Sequence, residues 1–405
     1  MKQLSLFLSL FLFVSLFSFS QENTSSEPFI KENITKPSIL STHTFGVYFS
    51  RLQGHFNSKP LKNKILSLSL ESGNVWSPGI KVYIPKSEAD RAIARTYNWD
   101  QAHRGFDGRS YEKDSFSTKN DGVIKGLRGN LNFKLAEKHE LQIGFRAFLL
   151  TKGKAPFTLL TGDKFIESFH SNIAGGEDPF DRKVFGLEQA GIEYTDRNGN
   201  SLKVDNGNLF ATGLETAYYY YPESLSNKNK RFYVNFGAHL GINLSSSNSS
   251  LDFGLSGNAL KTFVINDRSN FNVGTCLGVL KKALADFKSD NLEFGTNNFI
   301  ANSETALEYS LRTKSANVHS FGIIFYIQTS LNKKEELEYI VPIRDPLAFN
   351  SWGHGATNLY KNNDYWSLIY SYTKKGVTLS FYLQQDFTVI NIPDVQTGFG
   401  VQFGL

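Results

Sequence analysis

The stretch "DKFIESFHSN", Asp163–Asn172, sets an imidazole beside a carboxylate on a short apolar segment, and "GGEDPFDRK" follows it closely. In this pattern His170 is a candidate general base, oriented by Asp178 or Asp181. Such a group facing lipid would hydrolyse a lipid or lipopolysaccharide. The chain has no Gly-x-Ser-x-Gly elbow, and no catalytic set is completed around His170. The leading reading therefore assigns no catalytic residue, and the hydrolase stands as its enzymatic rival. Four histidines, His55, His103, His170 and His354, fall in candidate outer loops. They form no His-x-x-x-His pair and have no partners at ligand spacing, so neither a metal nor another cofactor is expected. A second group able to do chemistry is spread along the chain: Arg128, Lys134, Arg146, Glu215, His239, Glu304 and Glu308. These residues matter jointly only if one surface gathers them.

The elements that would do so are strands. In "IKGLRGNLNFKLAEKHELQIGFRAFLL", Leu127, Gly129, Leu131, Phe133 and Leu135 alternate with Gly126, Arg128, Asn130, Asn132 and Lys134. After an "AEKH" turn the alternation resumes through Leu141, Ile143, Phe145, Ala147 and Leu149. A period of two puts one set on each face of a strand. The arms have about the 9–11 residues that a tilted membrane strand needs. "RFYVNFGAHLGINL", "NFNVGTCLGVL", "SFGIIFYIQTS" and "YWSLIYSYTKKGVTLSFYL" follow the same pattern. Aromatic residues gather at strand ends (Tyr218–Tyr221, Tyr365, Trp366), as an interfacial girdle requires. The inward set is Gly, Asn, Gln, Ser, Arg and Glu. All seven charged or titratable positions share its parity, as does Cys276, and they are expected to form a paired polar network in a wet interior.

Both ends of the chain agree with a membrane barrel. "MKQLSLFLSLFLFVSLFSFS" is one lysine followed by an apolar run, and Ser18-Phe19-Ser20 supplies small-x-small spacing. Residues 1–20 thus read as a signal peptide, with no cysteine near the cut to carry lipid. Residues 21–40 are rich in Ser, Asn, Glu and Pro and read as a flexible periplasmic leader. At the other end "VQTGFGVQFGL" alternates up to the last residue, with Phe399, Val401, Phe403 and Leu405 on one face. This resembles the C-terminal insertion signal of Gram-negative outer-membrane barrels, whose usual last residue is Phe rather than Leu.

Composition supports this assignment and excludes others. The 405 residues include 35 Phe, 18 Tyr and 33 Gly, yet mean hydropathy is −0.29. Barrel strands give half their residues to lipid and half to water, which produces this balance. One cysteine excludes an intramolecular disulfide framework. The net charge of +5 comes from 43 basic and 38 acidic residues that are well mixed, so no nucleic-acid surface is expected.

Tight turns near 71–74, 136–139, 222–230, 266–269, 313–316 and 373–376 alternate with long connections near 52–63, 85–121, 151–206, 281–302 and 330–364. That alternation predicts one all-β antiparallel barrel over 41–405, with short periplasmic turns and long extracellular loops. Parity gives about fourteen strands, with twelve as the other even count. No plug domain is expected ahead of the first strand. Within the 151–206 loop the reading is a helix starting at Asp163 and stopping at Gly175-Gly176. Phe165, Ile166, Phe169 and His170 would fold inward to narrow the lumen.

"FIESFHSNIAGGEDPFDRK" resembles a segment in a family of functionally uncharacterised Gram-negative outer-membrane barrels, where Phe-Ile-x-x-Phe-His precedes a Gly-rich, Asp/Arg-containing stretch. The likeness is specific over about twenty residues. It implies a barrel in the outer membrane and brings no activity. The expected function is a barrel that passes or holds a small, amphiphilic molecule; the alternatives are the lipid hydrolase and a structural or surface-binding barrel. Expected partners are outer-membrane lipid and lipopolysaccharide, the barrel-assembly machinery and a small solute, with no nucleic acid.

Overall fold

The computed structural model describes residues 29–41, 43–83, 87–89, 92, 115–154, 157–174, 186–333, 341–344, 362–387 and 395–405. The signal peptide and residues 21–28 of the leader lie outside the described residues.

Twelve strands close into a ring. In order around it they are β1 (Ile65–Tyr83), β2 (Ser115–Ala136), β3 (His139–Thr151), β6 (Leu209–Tyr220), β7 (Phe232–Leu244), β8 (Ser249–Asn266), β9 (Ser269–Asp286), β10 (Phe299–Arg312), β11 (Val318–Gln328), β13 (Asn363–Lys374), β14 (Val377–Asp386) and β15 (Val395–Gly404). β15 returns to pair antiparallel with β1, Gly404 opposite Ile65. Closure pairs the backbone of every wall strand on both sides and leaves no sheet edge, as lipid demands. A short hairpin of β4 (Gly191–Thr195) and β5 (Ser201–Asp205) continues the sheet along the upper end of β2, and β12 (Val341–Arg344) pairs with the upper end of β1.

The ring has the lower of the two strand counts because β1 is one long strand. It runs straight through Glu71–Asn74, where a turn was expected, and stays in register with β2 as far as Ser77. Pro78, which lacks a ladder donor, falls in the bulge between Ser77 and Ile80. The short connections follow turn chemistry. Lys375 (φ 48°) and Gly376 (φ 80°) join Lys374 to its partner Val377, the two left-handed residues that a tight hairpin needs.

Side chains divide by parity. Leu68, Leu127, Phe145, Leu214, Phe236, Leu255, Phe321 and Phe399 are exposed on the outer face, while Arg128, Arg146, Asn258, Asn272, Glu304 and Glu308 are buried inside. The tyrosine run splits accordingly. Tyr218 and Tyr220 are exposed outward, and Tyr219 and Tyr221 are buried in the lumen.

The largest departure from the sequence reading lies before β1. Residues 29–64 are neither a free leader nor a first strand pair. They form a hairpin inserted into the lumen. Phe29 starts beside the β8–β9 turn, its N–H donating to the Asp267 carbonyl (2.9 Å). The chain rises to a 3-10 turn at Thr44–Tyr48 and descends to Lys64, whose carbonyl accepts from Leu405 N–H (2.8 Å). The two legs are tied by Ile34 N–H to the Phe56 carbonyl (3.0 Å) and by Arg51, which donates to the Ile39 carbonyl (2.9 Å).

Ile323 sits at the middle of β11 with outward parity, between Phe321 and Phe325. Ile323→Lys is expected to cost about 2–4 kcal/mol of folding free energy and Ile327→Lys, near the strand end, about 0–1 kcal/mol. Urea unfolding in lipid vesicles measures both, and equal costs would refute the assigned faces.

Candidate functional site

Inside the ring the hairpin has almost no partner strand, so its backbone groups must be satisfied by wall side chains. Lys31 N–H donates to Asn270 Oδ1 (3.1 Å), Thr35 N–H to Glu308 Oε2 (3.0 Å), Ser50 N–H to Asp252 Oδ2 (2.8 Å), Gly54 N–H to Glu304 Oε2 (2.8 Å) and His55 N–H to Asn258 Oδ1 (3.0 Å). Its carbonyls accept from the wall in turn: Lys31 and Asn33 from Asn272 (2.8 and 2.9 Å), Tyr48 from Asn248 (2.8 Å) and Phe49 from Arg146 (3.0 Å). Two ion pairs add charge to these contacts, Lys31 with Glu308 (2.6 Å) and Lys36 with Glu304.

The expected polar set is brought together in large part, around the hairpin. Glu215 pairs with Arg128 (3.3 Å) and Arg146 (2.8 Å), and Arg128 also pairs with Glu71 (3.0 Å). Glu304 and Glu308 grip the two hairpin lysines. His239 hydrogen-bonds Ser256 (2.8 Å) and meets Tyr219 edge-on. Lys134 is not part of the network. It stands at the β2–β3 turn, half-exposed, paired with Glu137 (2.7 Å), because the strand has left the lumen by that point.

Sequence reasoning missed Glu71, Glu140 and Asp252. Glu71 had been given to a turn. Glu140 is fully buried, accepting from Tyr221 Oη (2.9 Å) beside His55 Nε2 (3.1 Å), and His55 stacks on Tyr219. Continuing the strand parity through these positions was the signal that would have found them.

The two ends of the lumen differ. At the extracellular end Phe45 and Tyr48 of the hairpin tip pack with Tyr194 of β4 and with Phe294, at ring separations of 4.9–5.5 Å, and Phe210 joins them. Lower down the hairpin leaves a cavity of about 190 Å³ against the wall of β1, β2, β3, β6 and β7. Its lining includes Ser67, Asn130, Asn132, Gln142, Glu215 and His239 from the wall, with Lys36, Gln53 and His55 from the hairpin. The formal charges at its edge are largely paired within the protein, so the surface presented is one of amides and hydroxyls.

The helix of the long loop does not narrow this lumen. It is the short α1 (Asp163–Phe169), and the segment before it lies on the outer face of the wall. Ser72, Asn74, Lys125 and Thr397 have outward parity. Thr397 donates to the Leu159 carbonyl (2.8 Å), Asn74 donates to Asp163 Oδ1 (2.8 Å), Ser72 meets Thr161 (2.6 Å), and Lys125 donates to Thr158 (2.5 Å) and the Phe157 carbonyl. Polar residues on the outer wall can be covered only from outside, and this loop covers them. Ile166 is buried there, but Phe165 is exposed and stacks only on half-buried Phe169. The His170 side chain, Asp178, Asp181, His103 and His354 lie outside the described residues. Among the described residues, no cluster of His, Cys, Asp and Glu is poised to hold a metal ion.

A closed antiparallel ring with an apolar belt outside, a polar lumen and no sheet edge defines an integral outer-membrane β-barrel. No protein-family model matches the chain, and no curated protein matches it. Solved structures with a similar fold include an outer membrane channel from Pseudomonas putida F1 (8% identity, 88% of this chain and 98% of that chain, TM-score 0.38). Others are the beta domain of the Bordetella autotransporter BrkA (7%, 85% and 100%, 0.37) and the NanC porin (9%, 70% and 94%, 0.34). These structural neighbours are outer-membrane proteins, channels and porins among them.

Burial, and then the charge of Lys282, push His43 at the hairpin tip down from 6.5 to about 3. Its Nδ1 accepts from Phe45 N–H (3.1 Å), so the folded tip holds the neutral ring. Because the folded value lies below the unfolded one, this stabilisation is complete above pH 6.5 and is lost as pH falls towards about 3. Protease protection of the hairpin is expected to decline over that window, and His43→Gln to flatten the decline. A His43→Gln profile that matches the wild type would show that another group controls acid release.

Proposed function

We propose that this barrel is a gated outer-membrane channel for a small hydrophilic solute, closed by its own N-terminal hairpin. The observation that carries this reading is the polar cavity of about 190 Å³ between hairpin and wall. It exceeds by far the ~10–15 Å³ that one water requires. Its amides and hydroxyls offer both donors and acceptors, which suits an uncharged polar solute better than an amphiphile.

The hairpin is built to be displaced as a unit. It belongs to no sheet, and its lower half is held by hydrogen bonds and two lysine–carboxylate pairs that water can replace. The aromatic cluster at its tip keeps the extracellular end shut until the hairpin moves. On this reading outer-membrane lipid and lipopolysaccharide surround the apolar belt, and the barrel-assembly machinery is the partner in insertion.

The double variant Glu304→Gln, Glu308→Gln removes both lysine partners while keeping their size. In planar bilayers it is expected to raise open probability at least several-fold over the wild type, with unchanged heat-modifiable mobility on gels. Phe165→Ala with Phe169→Ala is expected to leave conductance unaltered, since α1 lies outside the wall. A closed double carboxamide variant together with an open Phe165/Phe169 variant would overturn the hairpin gate.

A further inference from the structure

A second and much smaller cavity, about 20 Å³, lies between the hairpin and the wall on the opposite side, near the tip. Arg51 comes to it from the hairpin, and Lys282 and Asn302 from β9 and β10. Lys282 is 2% exposed and Asn302 7%. Among the described residues, Lys282 Nζ, Arg51 Nη2 and Asn302 Nδ2 are all buried without a hydrogen-bond partner. All three atoms are donors, and two carry formal charge. No carboxylate lines the cavity.

The surroundings give these charges only partial compensation. Arg51 uses Nη1 on the Ile39 and Leu40 carbonyls and lies over the Tyr326 and Tyr365 rings at 4.6 and 5.0 Å. Lys282 Nζ sits 4.5 Å from the centre of the Phe49 ring. Asp252, in the same part of the wall, is committed to Ser50 N–H, Ala283 N–H and Asn243. Two cations buried beside one another with idle donors are costly unless something negative satisfies them.

We propose that this cavity binds one monatomic anion of chloride size, bridging Arg51 of the hairpin to Lys282 and Asn302 of the wall. The volume decides the class. A space of about 20 Å³ holds one water-sized body, given a threshold of ~10–15 Å³ for a water, and excludes phosphate, carboxylates and any transported solute. The all-donor lining then selects an anion over water, because a water must also donate twice. The site stands whether or not the barrel is a channel.

The test uses the full chain in two measurements. Crystals soaked in sodium bromide are expected to show one anomalous peak within hydrogen-bond reach of the three nitrogens. At constant ionic strength, replacing sodium gluconate with sodium chloride is expected to raise protease protection of the hairpin saturably. Lys282→Met should remove the peak and weaken the chloride response at least tenfold. Asn302→Asp, which supplies the negative charge itself, should remove the peak yet keep the hairpin protected in gluconate. A wild-type map without bromide at this position overturns the site, as does a chloride response unchanged in both variants.

Discussion

The structure depends on the need to satisfy an irregular backbone inside a polar tube. A closed ring satisfies its own ladder, but its inward side chains still need partners, and so does any chain that enters the lumen. Here the two needs meet. Wall amides and carboxylates at Asn235, Asp252, Asn258, Asn270, Asn272, Glu304 and Glu308 bond the main chain of residues 31–55. Without the hairpin these side chains would face water, and without the wall the hairpin would have no fold.

This arrangement explains the division of labour along the barrel axis. Polar anchoring at the lower end is compatible with water, so a hairpin held there can exchange its contacts for solvent. The tip is held differently, by the rings of Phe45, Tyr48, Tyr194 and Phe294, which lose contact area when separated. A polar stem and an apolar seal make the lumen tight at the extracellular end and wet lower down, where the larger cavity lies. The smaller cavity near the tip adds positive charge at the boundary between these two regimes.

The long outer loop obeys the same rule on the other face. Ser72, Asn74, Lys125 and Thr397 would be unsatisfied polar groups on a wall that otherwise meets lipid. The segment leading into α1 covers them with its own carbonyls and hydroxyls. Its task is to finish the outer surface where the apolar belt ends, and the lumen is left to the hairpin.

Strand parity was legible in the sequence because it is local. Alternation at Leu127–Leu135 and Phe399–Leu405 specifies two faces with no knowledge of the neighbours, so the barrel class, the outward belt and most of the inward charged set could be read directly. The hairpin was not legible for the opposite reason. Residues 29–64 have no period, and their contacts join positions as distant as Lys31 and Glu308, so as isolated chain they look like a polar leader. The amphipathic pattern around Phe165 likewise announced that a face would be buried, but not on which side of the wall. That choice rests on Asn74 and Thr397, far away in the chain, whose outward parity matters only once the ring has closed. Local periodicity settled what each strand presents to its two sides; only tertiary structure decided what fills the inside, because that depends on contacts between residues that the sequence keeps hundreds of positions apart.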